Sequence, residues 1–179
     1  AALAEKVVNS IDALLMRECQ RTGMHPESPD APQSVKEASK EYFSSSASID
    51  ELTLAATGSK QRPSITIVDQ GEGQTPSRVP ETLLSLDKRN KDRIPFVQGR
   101  FNMGGTGVLP FCGATEHVQL IITRRDPEIV KARGEESQDS GLWSFTIVRR
   151  EDPPPGAKNS VYTYLAPLNV VTERHGELL

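Results

Sequence analysis

The chain has 179 residues, of which 36% are apolar, and a formal net charge of -3, which suits one ordinary domain with a core. This small charge gives no general argument for binding nucleic acid or an anionic membrane, and no apolar run reaches the roughly 18 residues of a membrane span. Cys19 and Cys112 are too few for a disulfide framework or a zinc site, so we expect a reducing, cytoplasmic location. Because the chain opens on Ala1 inside a helical pattern and stops at Leu179 without a closing signal, we expect it to be part of a longer protein.

The first predicted element is an amphipathic helix over residues 2–21. Glu5, Asn9 and Asp12 form a narrow polar stripe at i, i+4 and i+7. Such a stripe is either a solvated face or a surface that meets a ligand, and the helix alone leaves both interpretations open. The apolar residues fall on the opposite, broader face, namely Leu3, Val7, Val8, Ile11, Leu14 and Leu15.

The next segments predict a proline-rich loop, a short helix and a β-hairpin. Ser34 and Glu37 have the spacing of a capping box for a helix that reaches Phe43. Residues 51–57 and 63–68 have strand composition and are separated by a turn. We therefore expect these two strands to pair as a hairpin.

The second strand of the hairpin ends in the segment Asp69-Gln-Gly-Glu-Gly. Asp69 shares strand parity with Ile65 and Ile67, so we expect its side chain on their buried side. A buried carboxylate needs hydrogen-bond donors, because burial without a partner costs several kcal/mol. Gly71 and Gly73 let the backbone turn sharply or let a ligand approach closely. The pattern predicts a pocket floor made of a strand, an inward acid and a bare turn.

Residues 74–103 lack a clear period, apart from a helix expected to begin at Pro80. A connection of this length is typical of a functional lid or of a disordered segment. It leads into a glycine-rich loop over residues 104–107 and then into an apolar helix start at Pro110. The backbone N–H groups of such a loop can bind an anion, and a flexible turn is the alternative.

The last third of the chain is predicted as three β-strands. They cover residues 117–123, 143–150 and 160–165, and the charged or proline-rich segments 126–141 and 151–159 are predicted loops. No internal repeat is visible, so we predict a single domain. The alternating apolar residues of the strands are the predicted core: Val118, Leu120, Ile122, Trp143, Phe145 and Ile147.

Three motifs together resemble the ATP-binding domain of the GHKL superfamily, which includes gyrase, the ninety-kilodalton heat-shock chaperone, histidine kinases and MutL. The run Glu5-Lys-Val-Val-Asn-Ser-Ile-Asp is similar to the E-x-x-x-N-x-x-D form of the N-box, especially in MutL and MORC proteins. Asp69-Gln-Gly-Glu-Gly matches the D-x-G-x-G box, and Met103-Gly-Gly-Thr-Gly resembles the second glycine box. The first glycine box alone arises by chance in about one chain in twenty of this length, so the specificity lies in the order of all three motifs.

The resemblance implies an α/β (α+β) two-layer sandwich of the Bergerat type, with a mixed, mainly antiparallel sheet and helices on one face. It also implies that Asp69 accepts a hydrogen bond from the adenine amine, that Asn9 ligates Mg²⁺, and that Glu5 orients and deprotonates the attacking water. Residues 74–103 would form the ATP lid. The other implied contacts with ATP are Asp12, Gly71, Gly73, Arg100, Gly104, Gly105, Thr106, Gly107, Val108 and Ser160, the last where many members have a threonine.

The implied function is Mg²⁺-dependent ATP binding and slow hydrolysis that drives lid closure and an ATP-dependent homodimer. Glu5 favours hydrolysis, because histidine kinases generally lack this water-activating arrangement. Two alternatives stay open, an ATP-sensing or scaffold module without turnover and a histidine-kinase-like phosphotransfer domain. A downstream domain would choose the partner, and nucleic acid would be reached only through other domains. The chain departs from the family at Glu72 and Gln74, where apolar or small residues are usual, and at Leu109, which replaces the last glycine of the second box.

Overall fold

The computed structural model describes the chain in seven ranges, 2–43, 51–82, 91–99, 108–112, 116–153, 155–156 and 158–165. Within these ranges the chain is a mixed α+β structure with three α-helices, two short 3₁₀-helices and two small antiparallel sheets. The predicted α+β class is confirmed. The described strands form two separate sheets, whereas the sequence led us to expect one.

Helix α1 (Ala2–Arg21) lies where it was predicted, and its second half carries a hydrophobic core cluster. Leu15 and Cys19 are fully buried there, in one cluster with Ala38 and Phe96. Because the segments that cover α1 in this cluster pack on its second half, the predicted apolar face is only partly correct. Leu14 and Leu15 are buried, Ile11 is exposed, and the remaining three residues are half-buried, namely Leu3, Val7 and Val8.

Helix α2 (Val35–Phe43) begins at the predicted capping box. The Ser34 hydroxyl oxygen accepts a hydrogen bond from the Glu37 N–H at 3.2 Å, and the Glu37 carboxylate accepts one from the Gln33 N–H at 2.8 Å. A helix start leaves such N–H groups without intrahelical partners. The two bonds therefore explain why the helix begins at this point.

Strands β1 (Leu52–Ser59) and β2 (Arg62–Asp69) pair antiparallel, which confirms the predicted hairpin. The burial predicted for β2 is wrong, since Ile65 is 51% exposed and Ile67 alone in that strand is half-buried. Among the described residues the hairpin forms a sheet of two strands, and α1 meets β2 near Asp69 while the rest of the strand is exposed or half-buried. The position of the strand is therefore confirmed, whereas its expected burial under a second layer is not.

The second sheet has the order β3-β4-β5, formed by β3 (Val118–Arg124), β4 (Trp143–Glu151) and β5 (Val161–Leu165). All three strands lie within one residue of their predicted ends. Both pairings are antiparallel, with Leu120 opposite Ile147. Strand positions in this part of the chain are therefore confirmed.

The predicted core side of the second sheet is wrong. Ser144, Thr146 and Val148 are each at most 2% exposed, so the opposite face of β4 is the buried one. Alternation separates the two faces of a strand but does not say which face another layer covers. Of the six predicted core residues four are exposed and two are half-buried: Val118, Leu120, Ile122 and Trp143, then Phe145 and Ile147.

Helix α3 (Pro127–Arg133) lies inside the segment 126–141 that was predicted to be a loop. The Asp126 carboxylate accepts hydrogen bonds from two backbone N–H groups of the first turn, at 2.9 and 3.0 Å. Gly134 ends the helix in the left-handed region, with φ of 62°. An aspartate cap, a first-turn proline and a terminal glycine are known helix signals, so the loop prediction overlooked them.

Two predicted helix starts correspond to 3₁₀-helices. Pro80 lies within a 3₁₀-helix over Pro76–Glu81, and the three leucines expected to follow in a helix, Leu83, Leu84 and Leu86, lie outside the described residues. Pro110 lies within the three-residue 3₁₀-helix Leu109–Phe111. Among the described residues, both prolines therefore lie in 3₁₀-helices.

Candidate functional site

One face of α1 holds the turn that follows β2. The Ala13 carbonyl accepts a hydrogen bond from the Glu72 N–H at 3.1 Å, and Arg17 Nη1 donates to the Gln70 carbonyl at 2.6 Å. Gln20 Nε2 donates to Glu72 Oε2 at 2.6 Å. These residues recur at helical spacing but do not belong to the predicted site. We call this surface the docking face of α1, formed by Ser10, Ala13, Arg17 and Gln20.

Asp69 stands at the end of β2 with an exposed carboxylate whose two oxygens are both held in place. Oδ2 accepts a hydrogen bond from the Ser10 hydroxyl at 2.7 Å, and Oδ1 accepts one from the Gly71 N–H at 3.0 Å. The chain thus supplies donors, as expected, but the predicted burial of Asp69 is wrong because α1 covers only one side of it. Each carboxylate oxygen can accept more than one hydrogen bond, so both can still accept one from a ligand.

Gly71 and Gly73 lie where neighbouring groups come very close to the turn. A Cβ at position 71 would lie 2.4 Å from the Ala13 Cβ, and a Cβ at position 73 would lie 1.7 Å from the Arg124 carbonyl oxygen. Gly73 also has a φ of 58°, in the left-handed region. The chain itself therefore comes close to both glycines, whereas the predicted close approach of a nucleotide stays a prediction.

The polar stripe of α1 meets the segment before the predicted second glycine box. Asp12 is fully buried and accepts hydrogen bonds from the Gln98 N–H at 3.0 and 3.1 Å and from the Gly99 N–H at 2.7 Å. The Asn9 amide oxygen faces Gly99, where a Cβ would come within 2.1 Å of it. A fully solvated stripe is therefore the wrong interpretation. Asp12 anchors backbone, and its predicted contact with the sugar or base end of ATP stays a prediction.

Glu5 is half-buried on α1, one helical turn before Asn9. Its neighbour Lys6 donates from Nζ to Gln119 Oε1 at 3.3 Å. Burial lowers the pKa of Lys6, and the nearby Cys112 and Glu5 oppose that shift in part. Glu5 keeps partial access to solvent, as a group that activates a water molecule requires.

Glu72, one of the departures from the family pattern, binds Arg125. Its Oε2 accepts a hydrogen bond from Arg125 Nη1 at 3.2 Å, in addition to the bond from Gln20. Arg125 is 2% exposed and also donates from Nε and Nη2 to Glu135 Oε2, at 3.1 and 2.8 Å. The Glu72 carboxylate therefore accepts hydrogen bonds from within the protein. We call this group the Arg125 network, formed by Gln20, Glu72, Arg125 and Glu135.

Two carboxylates beside the docking face stay ionised at neutral pH. Burial by itself would raise the pKa of Glu135, but hydrogen bonds from Arg125 and Arg133 outweigh burial and hold that pKa below its ordinary value. Burial likewise acts to raise the pKa of Asp126, and the hydrogen bond from Arg21 and those from the first turn of α3 lower it overall. The buried guanidinium of Arg125 therefore keeps a charged partner.

The remaining predicted site residues are less well connected. Val108 is half-buried at the start of the second 3₁₀-helix, and Ser160 is half-buried directly before β5. In the described ranges no hydrogen bond joins Val108 or Ser160 to the residues around α1. The structure gathers Asn9, Asp12, Asp69, Gly71 and Gly73 around that helix. The predicted site residues outside the described ones are Arg100, Gly104, Gly105, Thr106 and Gly107.

Among the described residues, no helix combines the length and the apolar character that a membrane crossing requires. That same part of the chain contains no group of three or more His, Cys, Asp or Glu side chains able to hold a metal ion. Comparisons of the chain with protein families, with curated proteins and with solved structures find no match.

Proposed function

We propose that this chain binds ATP together with Mg²⁺, hydrolyses it slowly and changes conformation with the bound nucleotide. The observation that carries the proposal is Asp69, an exposed carboxylate held by Ser10 and Gly71 at the start of a turn with glycines at positions 71 and 73. A carboxylate with oriented oxygens can accept a charge-assisted hydrogen bond from the exocyclic amine of adenine. The architecture we propose is the Bergerat type, with the two described sheets in one layer and the helices in the other.

Asn9 fits the metal-binding part of this proposal. Its amide oxygen stands against Gly99, and only a glycine leaves room for that oxygen there, since a Cβ would lie 2.1 Å from it. Oxygen ligands are the kind that Mg²⁺ prefers. When bound, Mg²⁺ would supply positive charge beside the phosphates, while residues 104–107 would supply backbone N–H groups for the same charge.

Glu5 would orient the attacking water and accept its proton. It lies four residues before Asn9 on α1, roughly 6 Å along the helix axis, and it is half-buried. Asp12 holds residues 98–99 at the end of the proposed lid, so lid movement would occur between residue 74 and this anchor. Closure of the lid and formation of an ATP-dependent homodimer are proposed by analogy with the family.

Asp69→Asn tests the proposed pocket. We expect calorimetric titration with Mg-ATP to show at least about tenfold weaker binding, because a hydrogen bond to a charged group contributes about 1.5–3 kcal/mol. Asparagine keeps the size of the side chain and can still accept a bond from Ser10. The matched control is Asp152→Asn, an exposed aspartate after β4, which should bind ATP like the unchanged chain. Equal ATP affinity in Asp69→Asn and in the unchanged chain would contradict the proposed function.

Glu5→Ala tests turnover separately from binding. We expect the variant to bind ATP with nearly unchanged affinity and to release phosphate at least about 100-fold more slowly in a single-turnover assay, because general-base catalysis contributes that much or more. Glu27→Ala, in an exposed loop, is the control. ATP binding with no phosphate release from the unchanged chain would instead support a sensing or scaffold module. Transfer of labelled phosphate to protein would support a phosphotransfer domain.

A further inference from the structure

Arg125 is a fully buried arginine that the proposed chemistry does not use. Its guanidinium donates to Gln20 Oε1 at 2.7 Å, to Glu72 Oε2 at 3.2 Å and to Glu135 Oε2 at 2.8 Å. Nη1 also lies 3.4 Å from two backbone carbonyl oxygens, those of Glu72 and Gly73. One side chain therefore contacts both the carboxylate and the backbone of the turn that follows Asp69.

Backbone groups of the same turn make further hydrogen bonds to the elements on either side. The Glu72 N–H donates to the Ala13 carbonyl at 3.1 Å, and the Glu72 carbonyl accepts from the Asp126 N–H at 3.0 Å. The Gln74 N–H donates to Thr123 Oγ1 at 3.1 Å. These bonds connect the turn to α1 on one side and to the junction of β3 and α3 on the other, and Arg125 fills the space between them.

We propose that Arg125 is a positioning residue for the adenine-binding turn and that Glu72 is the partner through which it acts. This inference rests on the proposed function. The carboxylate of Asp69 and the Gly71 N–H can meet adenine only if the turn keeps one conformation, and a binding group displaced by about 0.5 Å already loses much of its effect. Glu72, which departs from the GHKL pattern, thus supplies a half-buried acceptor that an apolar residue could not.

Stability alone does not account for such a network. Replacing a buried ion pair by apolar residues of similar volume is often neutral or stabilising. A network kept only for stability would therefore be dispensable, whereas a positioning network would be needed for binding even in a stable variant. The two roles therefore predict different ATP affinities for a variant that stays stable without the network.

Arg125→Lys keeps the positive charge and removes the fork of donors. We expect the Kd for Mg-ATP to rise at least about tenfold at a temperature where the variant is fully folded. The matched control is Arg133→Lys, because Arg133 shares Glu135 with Arg125 and its described hydrogen bonds go to Glu135 and to the Met24 carbonyl. We expect the Kd of the control to stay within about twofold of the unchanged chain.

The double variant Glu72→Met/Arg125→Met separates positioning from stability. Gln20 is 4% exposed and would lose both side-chain partners, so the double variant is made in a Gln20→Met background. We then expect urea denaturation to show stability close to that of the unchanged chain, since no buried amide of the network is left unpaired and Glu135 keeps Arg133 as its partner. The Kd for ATP should nevertheless stay raised by about tenfold or more. If ATP affinity recovers together with stability, Arg125 has only a structural role and the inference is overturned.

Amide hydrogen exchange distinguishes failure of this inference from failure of the proposed function. In the unchanged chain the N–H groups of Glu72 and Gln74 should exchange slowly, because both are hydrogen-bonded. In the double variant we expect both to exchange at least about tenfold faster while the amides in the second half of α1 stay protected. Faster exchange in the double variant, together with no ATP binding by the unchanged chain, would support Arg125 as a positioning residue of the turn and would refute ATP binding. Unchanged exchange at both amides refutes the positioning role.

Discussion

A Gly73→Ala variant is expected to lose at least about 3 kcal/mol of unfolding free energy in urea denaturation. The left-handed φ of 58° costs an alanine about 1 kcal/mol. The new Cβ would also lie 1.7 Å from the Arg124 carbonyl oxygen, a backbone atom that cannot rotate away. Either the turn or the end of β3 must then move, which adds roughly 2 kcal/mol or more. Since that movement displaces Asp69 relative to α1, ATP binding should weaken as well.

Two other glycines provide matched controls for Gly73→Ala. Gly156 has a φ of 88° and no neighbouring atom within 4 Å of the position that a Cβ would occupy, so Gly156→Ala should lose only about 1 kcal/mol. Gly141 has neither a positive φ nor a close neighbour, so Gly141→Ala should change stability by less than about 0.5 kcal/mol. If Gly73→Ala loses no more than Gly156→Ala, the close approach to Arg124 is not real.

An Asp12→Ala variant is expected to lose about 3 kcal/mol of unfolding free energy. Asp12 is fully buried, and its carboxylate accepts charge-assisted hydrogen bonds from the backbone of Gln98 and Gly99. Alanine removes the acceptors and leaves both N–H groups without this partner, and each such bond contributes about 1.5–3 kcal/mol. Urea denaturation measures the loss, and hydrogen exchange at Gly99 should accelerate more than exchange in the second half of α1.

Asp12→Asn and Asp30→Ala are the control variants for Asp12→Ala. Asparagine keeps one acceptor oxygen, so Asp12→Asn should lose about half as much unfolding free energy. Asp30 is exposed in the loop before α2, so Asp30→Ala should change stability by less than about 0.5 kcal/mol. Equal stability of Asp12→Ala and Asp30→Ala would show that Asp12 does not anchor residues 98–99.

Half of the candidate site could be predicted from the sequence. The N-box spacing placed Asn9 and Asp12 on one face of α1, and the strand pattern placed Asp69 at the end of β2; all three lie around that helix. The docking face was missed, because its residues are small or polar and stand between apolar ones. The spacing of Ser10, Ala13, Arg17 and Gln20 places them on one side of α1. That spacing indicates a contact surface only when the turn that packs against it is known.

The local elements of this protein follow from its sequence alone. The extent of α1 and the capping box at Ser34 depend on residues three or four positions apart, and the pairing of β1 with β2 depends on two strands that are adjacent in sequence. Side-chain periodicity and backbone capping act over these short distances, so a single sequence contains the necessary information. The same is true of the signals at Asp126 that the loop prediction overlooked.

In contrast, the tertiary structure determines which face of each strand is buried and which residues contact Glu72. Leu120 and Ile122 point to the open side of their sheet, and Asp69 is exposed where burial was expected. Glu72 meets an arginine 53 positions further along the chain, and Gln20 meets the same arginine across 105 positions. The packing of elements that are distant in sequence decides which layer covers a strand and which charged group contacts a carboxylate. The alternation of residues along one strand does not specify that packing.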